Sequence, residues 1–277
     1  MINHNTESIL PVIDAHTHIF PGAIAHKATE NIGNFYNLDM YTEGTLETLA
    51  LARNAVTLGR QIKMQVVFSP AITPMQTKSI NTFISDCCKK DSALIGFGTL
   101  HRDNDDFKDE IKRIKGLGLK GIKFHSDFQK TDIDDEKMLP IYKEIAKNNL
   151  PVIFHMGDKK LCYSSVDKLK NVLSAVPSLT VTAAHMGGYL HWDDAYTLLP
   201  MSNRLYFDIS SSLSFLPKEK CYSMFDKFGC DRFFFGSDFP MWNPSEELCR
   251  LAQLNLPEKV RRGIEYTNFA DFIEKFS

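Results

Sequence analysis

Residues 119–125 read LKGIKFH, residues 151–155 read PVIFH, and residues 179–185 read LTVTAAH. Each is a short apolar or β-branched run that closes on a histidine, the composition of a strand buried on both faces. The same kind of run recurs on either side. VIDA (12–15), MQVVF (64–68) and ALIGFG (93–98) precede these three, and RLYFDI (204–209) and RFFFGSD (232–238) follow. From the second run onward the starts fall about 28 residues apart. Between them lie stretches with apolar residues at helical spacing, such as TLETLALARNAVTLG (45–59), DFKDEIKRIKGLG (106–118) and DEKMLPIYKEIAKNNL (135–150). Gly59, Gly116 and Gly118 fall where such helices should end. Eight strands separated by helices predict an α/β fold, a (β/α)8 TIM barrel, as a single domain over residues 1–277. A doubly wound sheet is the rival arrangement, but no GxGxxG or GxxxxGK[ST] phosphate loop occurs to support it. The first interval, from residue 12 to residue 64, is the longest and leaves residues 19–43 as a loop insertion after the first strand. In a barrel that insertion lies over the active site, on the C-terminal face.

Composition excludes several classes of function. The 277 residues carry 32 basic and 34 acidic side chains, a formal charge of -2, which argues against a broad nucleic-acid surface. Hydrophobic residues at 43% and charged residues at 24% are ordinary globular values, so disorder, collagen and coiled coil are excluded. No apolar run approaches the ~20 residues that span a bilayer. The start MINHNTESIL has neither a basic region nor an apolar core of a signal peptide, so a cytoplasmic location is expected. Six cysteines without a CxxC are expected to be free, mostly buried thiols in a reducing compartment.

The chemistry sits at the strand ends. VIDA runs on into His16-Thr17-His18, and strand alternation puts both imidazoles on one face with Cα atoms ~7 Å apart. His125, His155 and His185 close later strands, and Asp238 closes the last. In a barrel these ends surround one cavity. Several imidazoles and a carboxylate around one point suit a borderline divalent ion, zinc first, with manganese, iron or cobalt as alternatives. A lone histidine is ordinarily a hydrogen-bonded core or surface residue. His4, His26 and His191 are left with that reading, whereas repetition at successive strand ends argues against it for the others. Phe233, Phe234 and Phe235 read as strand core rather than an aromatic binding box.

The ordered set VIDAHTH, GIKFH, PVIFHMG, TAAHMGG and FGSDFP resembles the amidohydrolase superfamily over residues 12 to about 272. It is most similar to the branch that holds aminocarboxymuconate-semialdehyde decarboxylase, related aromatic-acid decarboxylases and dicarboxylate lactonases. The resemblance implies a divalent metal held by His16, His18, His155 and Asp238. It implies Asp238 and His185 as catalytic residues. A divalent ion lowers the pKa of a bound water to about 7 in favourable sites. Asp238 would take its proton, and His185 would polarise the scissile carbonyl.

In LKGIKFH, Ile122 and Phe124 share the face suited to the helix layer, so Lys123 and His125 are expected to look inward. The superfamily's binuclear members carry a carbamylated lysine on this strand that bridges two metals. The preferred alternative is one ion and a free Lys123 amine that binds an anionic substrate or an internal carboxylate. The superfamily's nucleases have a glutamate there, which this chain lacks. Lys123, His125 and Arg102 would then form a cationic wall for a carboxylate-bearing substrate. Asp14 and Asp158 are expected to support the ligating histidines from behind. Asp208 and Ser210–Ser212 read as a polar loop.

These readings predict a metal-dependent hydrolase acting on an amide, lactone or ester bond of a small carboxylated molecule. The alternative is a non-oxidative decarboxylase of an aromatic or unsaturated acid at the same metal site. A barrel that binds metal without catalysis, as sensor or scaffold, is disfavoured by Asp238, whose role is acid–base. The expected partner is the small-molecule substrate, and a homodimer is expected only from the general frequency of dimers.

Overall fold

The computed structural model describes residues 9–276; His4 and most of the start of the chain read above lie outside the described residues. Nine strands are present: β1 Leu10–His18, β2 Val56–Thr57, β3 Arg60–Phe68, β4 Leu94–Gly96, β5 Ile122–Phe124, β6 Val152–Phe154, β7 Val181–Ala183, β8 Leu205–Asp208 and β9 Phe233–Phe234. All but β2 are parallel and follow one another around the sheet, β1–β3–β4 on one side and β5 to β9 on the other. Two parallel bridges, Gly98 to Ile122 and Thr17 to Phe239, join the halves. Hydrogen bonds from Lys123 N to Gly98 O (2.8 Å) and from Ala15 N to Phe235 O (2.8 Å) complete both seams. Closure of eight parallel strands with helices outside makes the protein a (β/α)8 barrel in one domain.

Strand alternation sorts the core into two shells. Ile122 and Phe124, Val152 and Phe154, and Val181 and Ala183 face outward into the helix layer. Ile13, Phe68, Phe97, Ile153, Tyr206 and Phe234 fill the barrel, and Phe269 and Phe272 of the Asn268–Glu274 helix pack into the same inner cluster. Lys123, between two outward residues, therefore points inward and is fully buried. Phe233, Phe234 and Phe235 are all buried core, as their sequence suggested.

Two local departures matter. The stretch 45–59 is helical only over Leu46–Arg53 and then turns into β2, which pairs antiparallel with the start of β3. Gly59 does not close a helix. With Leu58 it forms the hairpin turn, both at positive φ (52° and 70°), as a two-residue turn of this hand requires. The insertion 19–43 is not an irregular loop, because it carries the helix Gly22–Tyr36. Among the described residues no helix is long and apolar enough to cross a membrane. All six cysteines are free, but only Cys87 and Cys221 are buried and Cys162 is exposed.

Candidate metal centre

The C-terminal end of β1 carries a register irregularity between Asp14 and Thr17, where one extra residue bends the strand. Past it, the rings of His16 and His18 lie 5.3 Å apart, centroid to centroid. His16 Nδ1 donates to Asp208 Oδ2 at 2.9 Å, which leaves the Nε2 lone pair facing the barrel axis. Asp238 Oδ1 stands 3.4 Å from His16 Nε2 and 3.4 Å from His18 Nε2. The other Asp238 oxygen accepts from Ser211 Oγ at 2.6 Å, which in turn accepts from Trp242 Nε1.

His155 and His185 meet the same point from the opposite wall. His155 Nε2 lies 2.9 Å from Gly157 O, and a carbonyl can only accept, so the proton is on Nε2. His185 Nδ1 lies 3.2 Å from Ser210 O and 3.0 Å from Ser210 Oγ, so it can donate to the carbonyl or accept from the hydroxyl. His155 Nδ1 and His185 Nε2 face each other at 2.9 Å. With the His185 proton on Nε2 this is a hydrogen bond; with it on Nδ1 two lone pairs are opposed and available to a cation. One ligand atom each from His16, His185 and Asp238 lies within 4.8 Å of the others. Neutral imidazole nitrogens and one carboxylate are the donor set of a divalent transition metal, so the residues fit such an ion.

The electrostatics agree. Burial pushes His16 down to about 4, with Lys123 adding to the effect, and burial lowers His18 and His155 as well. These rings are neutral at pH 7, as ligation requires. Burial opposes ionisation of Asp238, but His16, His18 and His185 outweigh it and hold the carboxyl well below its ordinary value. The backbone is strained here. His185 and Asp238 have φ of 58° and 60°, a left-handed region that costs a non-glycine residue roughly 1–2 kcal/mol.

Of the residues singled out in the sequence, His16, His18, Lys123, His125, His155, His185 and Asp238 are brought together and buried. Lys123 Nζ lies 3.2 Å from His16 Nε2 and 4.8 Å above the Phe68 ring. Burial lowers the Lys123 ammonium to about 8, against the pull of Asp208 and Asp238. Its direct polar partner is His16 Nε2, and the two carboxylates act on it through charge alone. His125 stacks between Phe128 (3.7 Å) and His155 (3.9 Å), and burial holds it well below its ordinary value, so it is neutral. A second grouping of His125, Asp127 and His155 also meets the ligand spacing, but the His125 Nδ1 lone pair already accepts from Phe128 N.

Two expectations do not hold. Arg102 turns to Asp103 and Asp135 (3.0 Å) at a partly exposed position, because those carboxylates stand on its own loop and in the turn ahead of the Met138–Lys147 helix. With Lys123 inside and His125 neutral, the expected cationic wall does not form. Asp158 supports no ligating histidine. Its Oδ1 accepts from Lys160 N (2.7 Å) and Leu161 N (2.9 Å), closing its own turn. Asp14 does stand behind the centre, taking Ser237 N (2.9 Å), Ser237 Oγ (2.6 Å) and His16 N (3.3 Å). It thereby ties the loop bearing Asp238 to β1. Burial pushes its carboxyl up to about 7.

Sequence reasoning missed Asp208, Ser210, Ser211 and Tyr36. Asp208 orients His16 and also accepts from His185 N (3.2 Å). It ends the apolar run RLYFD as Asp238 ends RFFFGSD, and that parallel was the available signal. Tyr36, from the last turn of the Gly22–Tyr36 helix, sets its hydroxyl 3.2 Å from His125 Nε2 and 3.3 Å from His155 Nε2. Nothing in its local sequence marks it.

Fold and site together define a barrel with a histidine–aspartate cation cradle at the C-terminal ends of its strands. The family described as Amidohydrolase matches residues 13–272, and the chain belongs to that enzyme family. No curated protein sequence matches. Among solved structures the chain is similar to an uncharacterised TIM-barrel protein from Bordetella bronchiseptica (18% identity, TM-score 0.76, covering 96% of this chain and 99% of that one). It is also similar to a 5-carboxyvanillate decarboxylase from Novosphingobium aromaticivorans complexed with manganese and 4-hydroxy-3-methoxy-5-nitrobenzoic acid (16%, 0.73, 97% and 99%). A candidate 2-pyrone-4,6-dicarboxylic acid hydrolase from Pseudomonas putida is similar as well (15%, 0.70, 96% and 98%). Identities this low establish the fold alone.

Proposed function

We propose that the protein is a metal-dependent hydrolase that cleaves an amide, lactone or ester bond. The observation that carries the reading is the ionised Asp238 beside the neutral imidazoles of His16 and His18, with one ligand atom each of His16, His185 and Asp238 within 4.8 Å of the others. His16, His18, His155 and Asp238 would hold one divalent ion, zinc or manganese being compatible with the donors. Such an ion, when bound, polarises a substrate oxygen and makes hydroxide available near neutral pH. Asp238 accepts the proton of the attacking water through its carboxylate and returns it to the leaving atom. Ser211 and Trp242 keep that carboxylate from rotating away. His185, held at Nδ1 by Ser210, would present an Nε2–H to the developing oxyanion and stabilise it. Lys123 acts as a free amine that offsets the charge of Asp208 and Asp238. A carbamylated Lys123 with two ions is the competing state, and metal content per chain with the intact mass separates them.

Decarboxylation is the second reading, favoured by the dryness of the centre. The space among the rings amounts to two cavities of about 20 and 10 Å³. A carboxylate drawn into such a site loses its hydration; CO2 departs neutral, the C–C electron pair stays on the substrate carbon, and a proton ultimately from water forms the C–H bond there. The deciding experiment incubates the metal-loaded protein with lactones, esters, amides and aromatic acids. Oxygen-18 from water in an acid product supports hydrolysis. Released CO2 without that label overturns it in favour of the lyase.

A further inference from the structure

A cavity of about 580 Å³ opens beside the centre, within the ~300–1,000 Å³ of sites that enclose drug-sized ligands. Its walls are Ile24, Ile32 and Phe35 of the Gly22–Tyr36 helix, Ile80 and Phe83 of the Thr77–Lys90 helix, and Phe128. His18, one of the proposed ligands, closes its inner end. The charged members of the wall are Asp127 and Lys130. His18, Ile32 and Phe128 also line the cavity of about 20 Å³ at the imidazoles, so the two spaces share a partition.

The volumes argue against a substrate confined to the centre. About 20 Å³ holds little more than one water. Arg102, expected to bind a carboxylate, pairs outward with Asp135. The wall beside His18 is largely apolar, with Asp127 and Lys130 as its charged members. Removing a methylene from water is worth a factor of about four in affinity, so a wall of this composition selects for length of apolar chain.

We infer that the substrate carries a bulky apolar alkyl or aryl group, which lies in the cavity under the Gly22–Tyr36 helix while the scissile bond passes between Ile32 and Phe128 to His18. This rests on the histidine cluster being the reacting centre, and it adds an apolar group to the small carboxylated substrate expected from sequence. The occupant is a small molecule because the cavity runs inward to His18. A second copy of the chain would cover only the mouth.

The test is a binding series that needs no turnover. Linear amides from butanamide to decanamide are titrated against a fluorescent apolar probe, 1-anilinonaphthalene-8-sulfonate, bound to the protein. Affinity is expected to rise about threefold to fourfold per added methylene until the cavity is full. Ala28→Trp fills the cavity from one wall, and Ser79→Trp from the other at an exposed position where folding is not at stake. Each is expected to lower the decanamide affinity at least tenfold and leave butanamide and metal content unchanged. A flat chain-length series, or the same series in both variants, would overturn the inference. If the series holds while no ester, lactone or amide is turned over, the reaction assignment fails and the apolar cavity stands.

Discussion

The two ends of the barrel treat buried charge in opposite ways. At the N-terminal end Glu265, fully buried, receives the guanidinium groups of Arg60 (3.1 Å), Arg261 (2.7 Å) and Arg262 (3.1 Å). Arg262 also reaches Pro11 O (2.9 Å), so the network ties the start of β1, the start of β3 and the C-terminal helices together. Each Glu265 oxygen is matched by donors. At the C-terminal end His155 Nδ1 and His185 Nε2 meet each other, His18 Nδ1 has no partner, and His185 and Asp238 sit in strained backbone. A carboxylate whose oxygens are both matched stabilises a fold, whereas donor atoms gathered without full pairing leave bonding capacity for a ligand. Single unpartnered atoms occur elsewhere, Arg261 Nη2 among them, so it is the convergence of His16, His185 and Asp238 on one point that distinguishes the working end.

The contrast breaks first at Asp238. Asp238→Asn is expected to lower turnover about 10²–10⁴-fold or more while the far-UV circular dichroism is unchanged. The same change should abolish the thermal stabilisation by divalent metal, which for the parent reaches about 2.7 kcal/mol at a hundredfold excess over Kd. A variant that keeps turnover would return Asp238 to the class of structural carboxylates. Glu265→Ala should do the reverse. It leaves three guanidinium groups facing one another in a mostly buried setting and should cost about 3–5 kcal/mol in urea unfolding. Turnover per folded molecule should stay at the parent value. Loss of turnover in the folded fraction would mean that the two ends are coupled.

A finer division lies within the C-terminal end. Asp208→Asn leaves every proposed ligand in place but alters the group that fixes the His16 tautomer. A loss of metal affinity of about 10–100-fold is expected, measured by competition with a chelating dye. Unchanged affinity would show that packing alone orients the ring. Asp208 also marks the limit of what was legible. The barrel and its ligand candidates could be read because each strand announces itself locally as an apolar run, and most of these runs close on His or Asp. The partner of His16 could not, because it lies 192 positions away and only closure of the barrel brings it near. Tyr36 and the outward turn of Arg102 were hidden for the same reason. Both depend on where a helix or loop docks, and neither leaves a periodic trace. The hairpin at Leu58–Gly59 escapes a sequence reading because Val56 and Thr57 continue a plausible helical pattern, and only pairing with β3 decides against it.

Glu247 offers the smallest effect and the closest comparison, since it is a second buried glutamate. Arg250 bonds one of its oxygens, while Oε2 has no partner. Burial pushes its carboxyl up to about 7, partly offset by Arg250, from an ordinary 4.5. The folded pKa therefore exceeds the unfolded one, so the folded state binds the extra proton. The stability this contributes is complete below pH 4.5 and is lost as pH rises through about 7. A tenfold difference in proton affinity between folded and unfolded chains corresponds to about 1.4 kcal/mol, but Glu247→Gln also gives up an ion pair with partly exposed Arg250. The net expectation is a gain of about 1 kcal/mol at pH 8 and none at about pH 5, read as a change in urea midpoint at the two values. Glu265→Gln in the same protocol should destabilise at both. Opposite signs at about pH 8 from one substitution type at two buried glutamates would trace the difference to partners on the second oxygen. Equal signs would make burial alone sufficient and remove the distinction between the two ends.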